Sequence, residues 1–242
     1  MPDVTFVSND AGSIDSAIRT PLGEGSACGP LDAAVLGTLP LSRFTTADVA
    51  RYDEYQDGFI ALTQNTHSLA GAAWYTAQLP VLSSYALTWT FREQPGGTAG
   101  AGFTFAVLQT PTVPSSTFVG GNGAGMGLQN ISGGPTGYAV ALYLYGGTEF
   151  ELLGMPGFTV IKSVTATDML NDGSPYTVQV SWQAPSTLTA TVTVHSGTLT
   201  LTSSDAALTT TAPAWFGVTA STGPASNSIN ELEGITVSEA CQ

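Results

Sequence analysis

The chain has 242 residues, of which only 10% are charged, with five Lys and Arg against 18 Asp and Glu and a net charge of −13. That balance argues against duplex nucleic acid and anionic membrane surfaces as partners, since both are held by cationic side chains. No apolar run approaches the ~20 residues needed to cross a bilayer, and a chain of this length buries about 70% of its extended surface, enough for one core without staples.

Lys162 is the only lysine, and Ser, Thr and Gly take the places that Lys and Glu fill on most solvent faces. Such surfaces are common on proteins that work outside cells. The opening MPDVTFVSND lacks the basic segment and apolar run of an export signal. The expected setting is extracellular or the surface of a virus particle, reached by lysis or a signal-independent route; the alternative is a chain that has lost its leader.

From Met1 to about Pro40 the pattern is weak: a short strand over Val4 to Val7, the turn-formers Asn9, Asp10 and Gly12, then AIRTPLGEGSACGP, which reads as an extended arm. Thr45, three residues ahead of Asp48, forms a capping box that predicts one or two helical turns through about Tyr55. Residues 1–57 therefore read as a mostly irregular N-terminal arm with an edge strand, serving either to dock a partner or as a packing flap. From Gly58 the strands come thickly. Tyr85, Leu87, Trp89 and Phe91 alternate with Ala86, Thr88, Thr90 and Arg92, the period of a half-buried strand. Phe103, Phe105 and Val107 do the same, as do Val140, Leu142 and Leu144. Between these two runs lies a loop carrying Gly120, Gly121, Gly123, Gly125 and Gly127, free to take positive φ and to come close to a neighbour or a ligand. Further strands are predicted over Tyr176 to Trp182, after an Asn-Asp-Gly turn at residues 171–173, over Leu188 to Val194, over Trp215 to Ala220 and over Ile229 to Val237. With helix signals nearly absent and no repeat, the pattern asks for two packed antiparallel sheets.

The segments GAGFTF, GNGAGMGL and YAVALYLY resemble, in that order, an Ala-Asp-Gly opening into an aromatic strand, a glycine-rich loop and a strand reading AVEFDT. They are features of the legume-type (L-type) lectins of the concanavalin A-like group. GFIALTQNTHSLAGAAWYTAQLPVLSSYALTWTF upstream, and YTVQVSW, LTATVTV and AWFGVTASTG downstream, are similar to further strands and a corner of that family. The likeness covers roughly Gly58 to Val237. It implies an all-β fold, a concanavalin A-like jelly-roll sandwich of two antiparallel sheets over residues 58–242. It also allows terminal strands to pair, so Cys28 and Cys241 are either bridged, which the chain-entropy argument values at ~4 to 5 kcal/mol, or two buried free thiols.

Carried over residue by residue, the carboxylates with which the family holds its paired metal ions fall on Ala141 and Tyr143, and its sugar-binding Asp falls on Ala101. Calcium needs six to eight oxygen ligands, so the resemblance implies no metal and no cofactor here. Gly121 and Gly123, with Asn122 between them, keep the place where the family's backbone faces the sugar, and Gly223 to Ser228, including Asn227, match its last specificity loop. Glycan contact through another surface would use Tyr143, Tyr145 or Trp74, unless those rings pack against the arm or a second subunit.

Glu149 and Glu151, spaced to share one strand face, have the paired-carboxylate pattern of glycosidases on a similar fold, but those place three acids on one strand, and Leu153 stands in the third position. Glu231 and Glu233 show the same spacing without a third; both pairs read as solvated faces. His67 and His195 lie beside turns with no triad context. Asp53, Glu54 and Asp57 read as a solvated helix end, and the glycine loop lacks the spacing and lysine of a phosphate-binding loop.

These readings lead to a non-catalytic module, expected as a structural component of a virus particle, a decoration or fibre built on a lectin-like sandwich. The alternative is a metal-independent carbohydrate-binding adhesin or lectin. Expected partners are other structural subunits or copies of the chain, or a cell-surface glycan, with no nucleic acid and no membrane insertion.

Overall fold

The computed structural model describes residues 37–53, 58–79, 84–95, 100–145, 147–168, 170–183, 186–204, 213–225 and 228–239. The expected edge strand over Val4 to Val7, the extended arm before residue 37, the two cysteines Cys28 and Cys241, the acids Glu54 and Asp57, and Asn227 lie outside them.

The regular structure of the described chain is almost entirely strand: β1 (Gly37–Thr38), β2 (Phe44–Asp48), β3 (Arg51–Asp53), β4 (Phe59–Ala61), β5 (Ala70–Tyr75), β6 (Tyr85–Pro95), β7 (Gly102–Gln109), β8 (Thr136–Tyr143), β9 (Thr148–Met155), β10 (Thr159–Ala166), β11 (Pro175–Gln183), β12 (Thr187–Val194), β13 (Gly197–Ser203), β14 (Ala214–Ser221) and β15 (Ser228–Glu239). They form two antiparallel sheets. The back sheet runs β13-β12-β11-β6-β15-β4-β3, with β1 on β15, and the front sheet runs β10-β9-β8-β7-β14-β5-β2. The late strands β14 and β15 insert between early ones, β14 between β7 and β5 and β15 between β6 and β4, the chain crossing expected of a jelly-roll sandwich.

Period-two patterning places the core. Leu87, Trp89 and Phe91 of β6 and Val178, Val180 and Trp182 of β11 point inward with at most 1% exposure, and Phe103, Phe105 and Phe216 meet them from the front sheet. Trp89 lies 5.2 Å from Phe91 and 6.4 Å from Phe105, so the layer between the sheets is aromatic at its centre. Burying each such ring contributes ~1.5 to 3 kcal/mol. The opposite face of β6, with Thr88 and Thr90, is half-buried, as its alternation predicts.

The capping-box expectation over Thr45 to Tyr55 is corrected. Its described part is strand, turn and strand: β2 pairs with β5, from Phe44 opposite Tyr75 to Asp48 opposite Gly71, and β3 pairs with β4. A helix of one or two turns has no stability of its own. The open edge of β5 offers a ladder of unpaired backbone groups and a slot that buries Phe44 and Ala47. Asp48, with φ of 54°, ends the strand by a left-handed turn.

Candidate functional site

All eight residues of β7 are buried, which a single sandwich core cannot explain. Phe103, Phe105 and Val107 enter the core between the sheets, while Ala106 and Leu108 face outward beneath the glycine-rich loop. Met126, Leu128 and Ile131 of that loop pack onto Ala72, Ala139, Ala141 and Leu153 of the front sheet. Alanines on this face leave the depth that lets a backbone loop settle on it. Buried polar contacts fix the loop. The Trp74 indole donates to the Phe118 carbonyl at 2.7 Å, the Ser221 hydroxyl to the Gly123 carbonyl at 2.7 Å, and the Thr219 hydroxyl to the Met126 carbonyl at 2.5 Å. Gly127 takes φ of +73° with Thr219 3.0 Å from where a Cβ would sit, so here the loop needs glycine for both reasons.

Where the loop passes the ends of β7, β8 and β9, an open cleft of about 490 Å³ remains. Ala101, Gly123, Tyr143, Tyr145 and Gly223, all expected site residues, lie on its wall together. The wall also includes Ala124, Glu149, Thr165, Pro224 and Ala225. Tyr143 is half-buried and its hydroxyl reaches the Ala124 carbonyl at 3.5 Å, whereas Tyr145 is 61% exposed and presents its ring to solvent. Gly121 and Asn122 adjoin the cleft without lining it. The Gly121 amide donates to Gln129 O at 2.7 Å, the Gly123 amide to Thr222 O at 3.1 Å, and the Asn122 side chain to Ser68 O at 2.7 Å. These amides tie the loop to its surroundings rather than facing the cleft. Trp74 is fully buried against Phe118, so it packs within the fold and offers nothing to a ligand.

The reading of both glutamate pairs as solvated is corrected. Glu149 and Glu151 do share one face of β9, opposite Tyr143 and Ala141 of β8, but Glu151 is only 7% exposed because the loop-covered face continues over it. Burial, then the charge of Glu149, pushes the Glu151 carboxyl above its ordinary value. Burial, then the charges of Glu151 and Glu149, push the Tyr143 phenol up in the same way. On the back sheet Glu231 is 3% exposed and accepts from Gln94 at 2.8 Å, while a bulge between Leu232 and Gly234 turns Glu233 to Arg92 at 2.5 Å. Glu149 and Thr165 are the cleft residues the sequence did not place there. The two-residue spacing of Glu149 and Glu151 was the available signal, but spacing cannot say whether a face is covered.

No protein-family model matches the sequence, and no curated protein matches it in sequence. The fold is similar to solved lectins. Basic winged bean lectin with Tn-antigen superposes with a TM-score of 0.64 at 16% identity, over 83% of this chain and 93% of that one. Peanut lectin with a 9mer peptide gives 0.65 at 16% identity, over 83% and 92%. The exoplasmic/lumenal domain of VIP36 in its Ca2+/Man3GlcNAc-bound form gives 0.64 at 15% identity, over 87% and 90%. The shared property is the L-type lectin fold.

That fold implies a metal beside the glycine loop, and the residues present do not fit one. At the expected positions Ala141 has no donor atom and is fully buried, and Tyr143 supplies a phenol that faces the Ala124 carbonyl. Among the described residues no group of three or more His, Cys, Asp or Glu could hold a metal ion. Two carboxylates fall well short of the oxygen shell calcium requires.

Proposed function

We propose that the protein is a non-catalytic, lectin-like module that binds a glycan in the cleft between the glycine-rich loop and the ends of β8 and β9, without a divalent cation. The observation that carries this reading is the lining. Tyr143 and Tyr145 offer rings on which the apolar face of a pyranose can stack. Glu149 and Thr165 offer polar atoms to its hydroxyls, and all four lie on a front-sheet face similar in fold to that of sugar-bound lectins. A concave, mostly apolar site with a few convergent polar groups is the usual form of a small-ligand site. Among the described residues no helix is long and apolar enough to cross a membrane; we place the protein outside cells, where such glycans are displayed.

The test is a glycan array read with and without chelator. Binding that survives chelator and falls about two- to tenfold in Tyr145→Ala, the loss expected of one stacked ring, supports the reading. No binding, or binding that chelator abolishes, overturns it.

A second reading, a building block of a larger assembly such as a virus surface, is favoured by β10. This edge strand of the front sheet leaves Val160 50% and Ile161 36% exposed, and unpaired edges recruit further chains. Sedimentation over rising concentration should then show association that Ile161→Lys abolishes; a monomer at every concentration sinks it.

A further inference from the structure

The cleft carries negative charge that no cation of the described residues answers. Glu149 stands on its wall, and Glu151 lies behind it on the same strand face. Glu151 is more than nine-tenths buried as a residue. It shares the strand face of Glu149, beside Tyr143, whose phenol burial, then the charges of both, push up. The cations of the described chain are engaged or distant. Arg92 pairs with Glu233, the Lys162 ammonium donates to the Thr202 carbonyl of the back sheet, and neither these nor Arg43 and Arg51 line the cleft. Two carboxylates side by side on a largely covered face are costly to keep charged, and a positively charged ligand would relieve them. Beside the acids stand two tyrosine rings, whose faces attract ammonium groups.

Resting on the glycan reading above, we propose that the cleft selects an amino sugar with a free, unacetylated amine, its ammonium held between Glu149, Glu151 and the rings of Tyr143 and Tyr145. Each part has a separate task. Tyr145, exposed at the rim, stacks on the sugar, and Tyr143 forms the wall that keeps water from the ammonium. Glu149 makes the direct contact, and Glu151 adds charge from behind. Acetylation removes the positive charge and leaves Glu151 unanswered. Uronic and sialic acids are rejected, since their carboxylates would face two of the same sign.

The experiment is calorimetric titration of the intact protein near neutral pH with a glucosamine tetrasaccharide, its N-acetylated counterpart, a glucose tetrasaccharide and spermidine. The glucosamine oligomer is expected to bind at least about tenfold tighter than the acetylated one, as charge-assisted contacts are worth about twice neutral ones. That preference should collapse in Glu149→Gln and in Glu151→Gln, while Tyr145→Ala weakens all sugars alike. Thermal melting of both glutamine variants at or above the parent midpoint shows that the fold is kept; Glu149→Gln, at a half-exposed position, carries the test if Glu151→Gln does not fold. Equal or tighter binding of an acetylated or neutral sugar overturns the amine assignment and leaves the glycan reading standing. Spermidine binding as tightly as the sugar overturns it in favour of a general ammonium site. Silence from all three sugars overturns both readings.

Discussion

Gly102→Ala is expected to be the most damaging single substitution at the site, lowering stability by about 3 to 5 kcal/mol, the range of severe core strain. Two independent causes add. The residue has φ of +132°, a conformation costing a side chain about 1 to 3 kcal/mol. A Cβ there would also stand 2.0 Å from the Leu142 carbonyl oxygen, and backbone cannot step aside as a side-chain tip can. The strain falls where β7 begins beside Ala101, with Tyr143 as its register partner on β8, so the cleft should distort along with the fold. Denaturant unfolding gives the stability change, and the glycan titration gives the loss of binding. A variant within 1 kcal/mol of the parent, on the scale of an ordinary surface change, would mean the start of β7 is not held as described. Gly133→Ala supplies the control: its φ is also positive, at +89°, but nothing lies within 4 Å of its Cβ position, so only the conformational part should appear.

Glu93→Gln is expected to act in the opposite direction and stabilise the protein at neutral pH by about 1 to 3 kcal/mol, the penalty of an unsatisfied buried polar group. Glu93 is fully buried at the far end of β6. One carboxylate oxygen accepts the Gly100 amide, while the other, with Ser228 Oγ and Asn230 Oδ1, has no partner. If the carboxyl is ionised, two acceptors of that group compete for the single Ser228 proton. Glutamine keeps an oxygen for Gly100 and brings two N–H donors to the pair. Burial pushes the Glu93 carboxyl up, against smaller downward pulls from the nearby Ser228 hydroxyl and the Gly100 amide. The folded value thus lies above the unfolded one, so the stability due to its proton is complete below the unfolded value of about 4.3 and is lost as pH rises through the folded value. The advantage of Glu93→Gln should therefore widen with pH, reaching ~2 to 12 °C in melting midpoint for a chain of this size. Melting both proteins from pH 4 to pH 9 checks this. A constant difference, or a variant that melts lower at pH 9, would contradict it.

These two residues show how the sandwich is held together around its cleft. β6 carries Glu93 and β7 carries Gly102, and Ala101, just ahead of Gly102, stands on the cleft wall. The Ala101 amide donates to Ser221 at 3.0 Å and its carbonyl accepts from Leu144 at 3.1 Å, so β14 and the end of β8 both clamp this corner. The Ser221 hydroxyl in turn holds Gly123. Loop, corner and strand ends form one hydrogen-bonded unit, which gives the cleft fixed walls.

Much of this was legible beforehand. Strict alternation in β6 and β11 identified both the strands and the residues that fill the core, because period two is a local property of backbone geometry. Ala101, Gly123, Tyr143, Tyr145 and Gly223, singled out from the order of several short motifs, share one cleft wall, whereas Gly121 and Asn122 do not line it and Asn227 lies outside the described residues. What the residues alone did not reveal were facts about coverage and pairing. Whether Thr45 to Asp48 coils or extends depended on the open edge of β5, which lies more than twenty residues away in the chain. Whether Glu151 is solvated depended on what covers its face, and Trp74 is covered by Phe118 of the glycine-rich loop. Local sequence determines the direction in which a side chain points from its strand; the tertiary structure decides whether water, another strand or a folded-back loop is there to meet it, and burial, charge and the cleft itself follow from that.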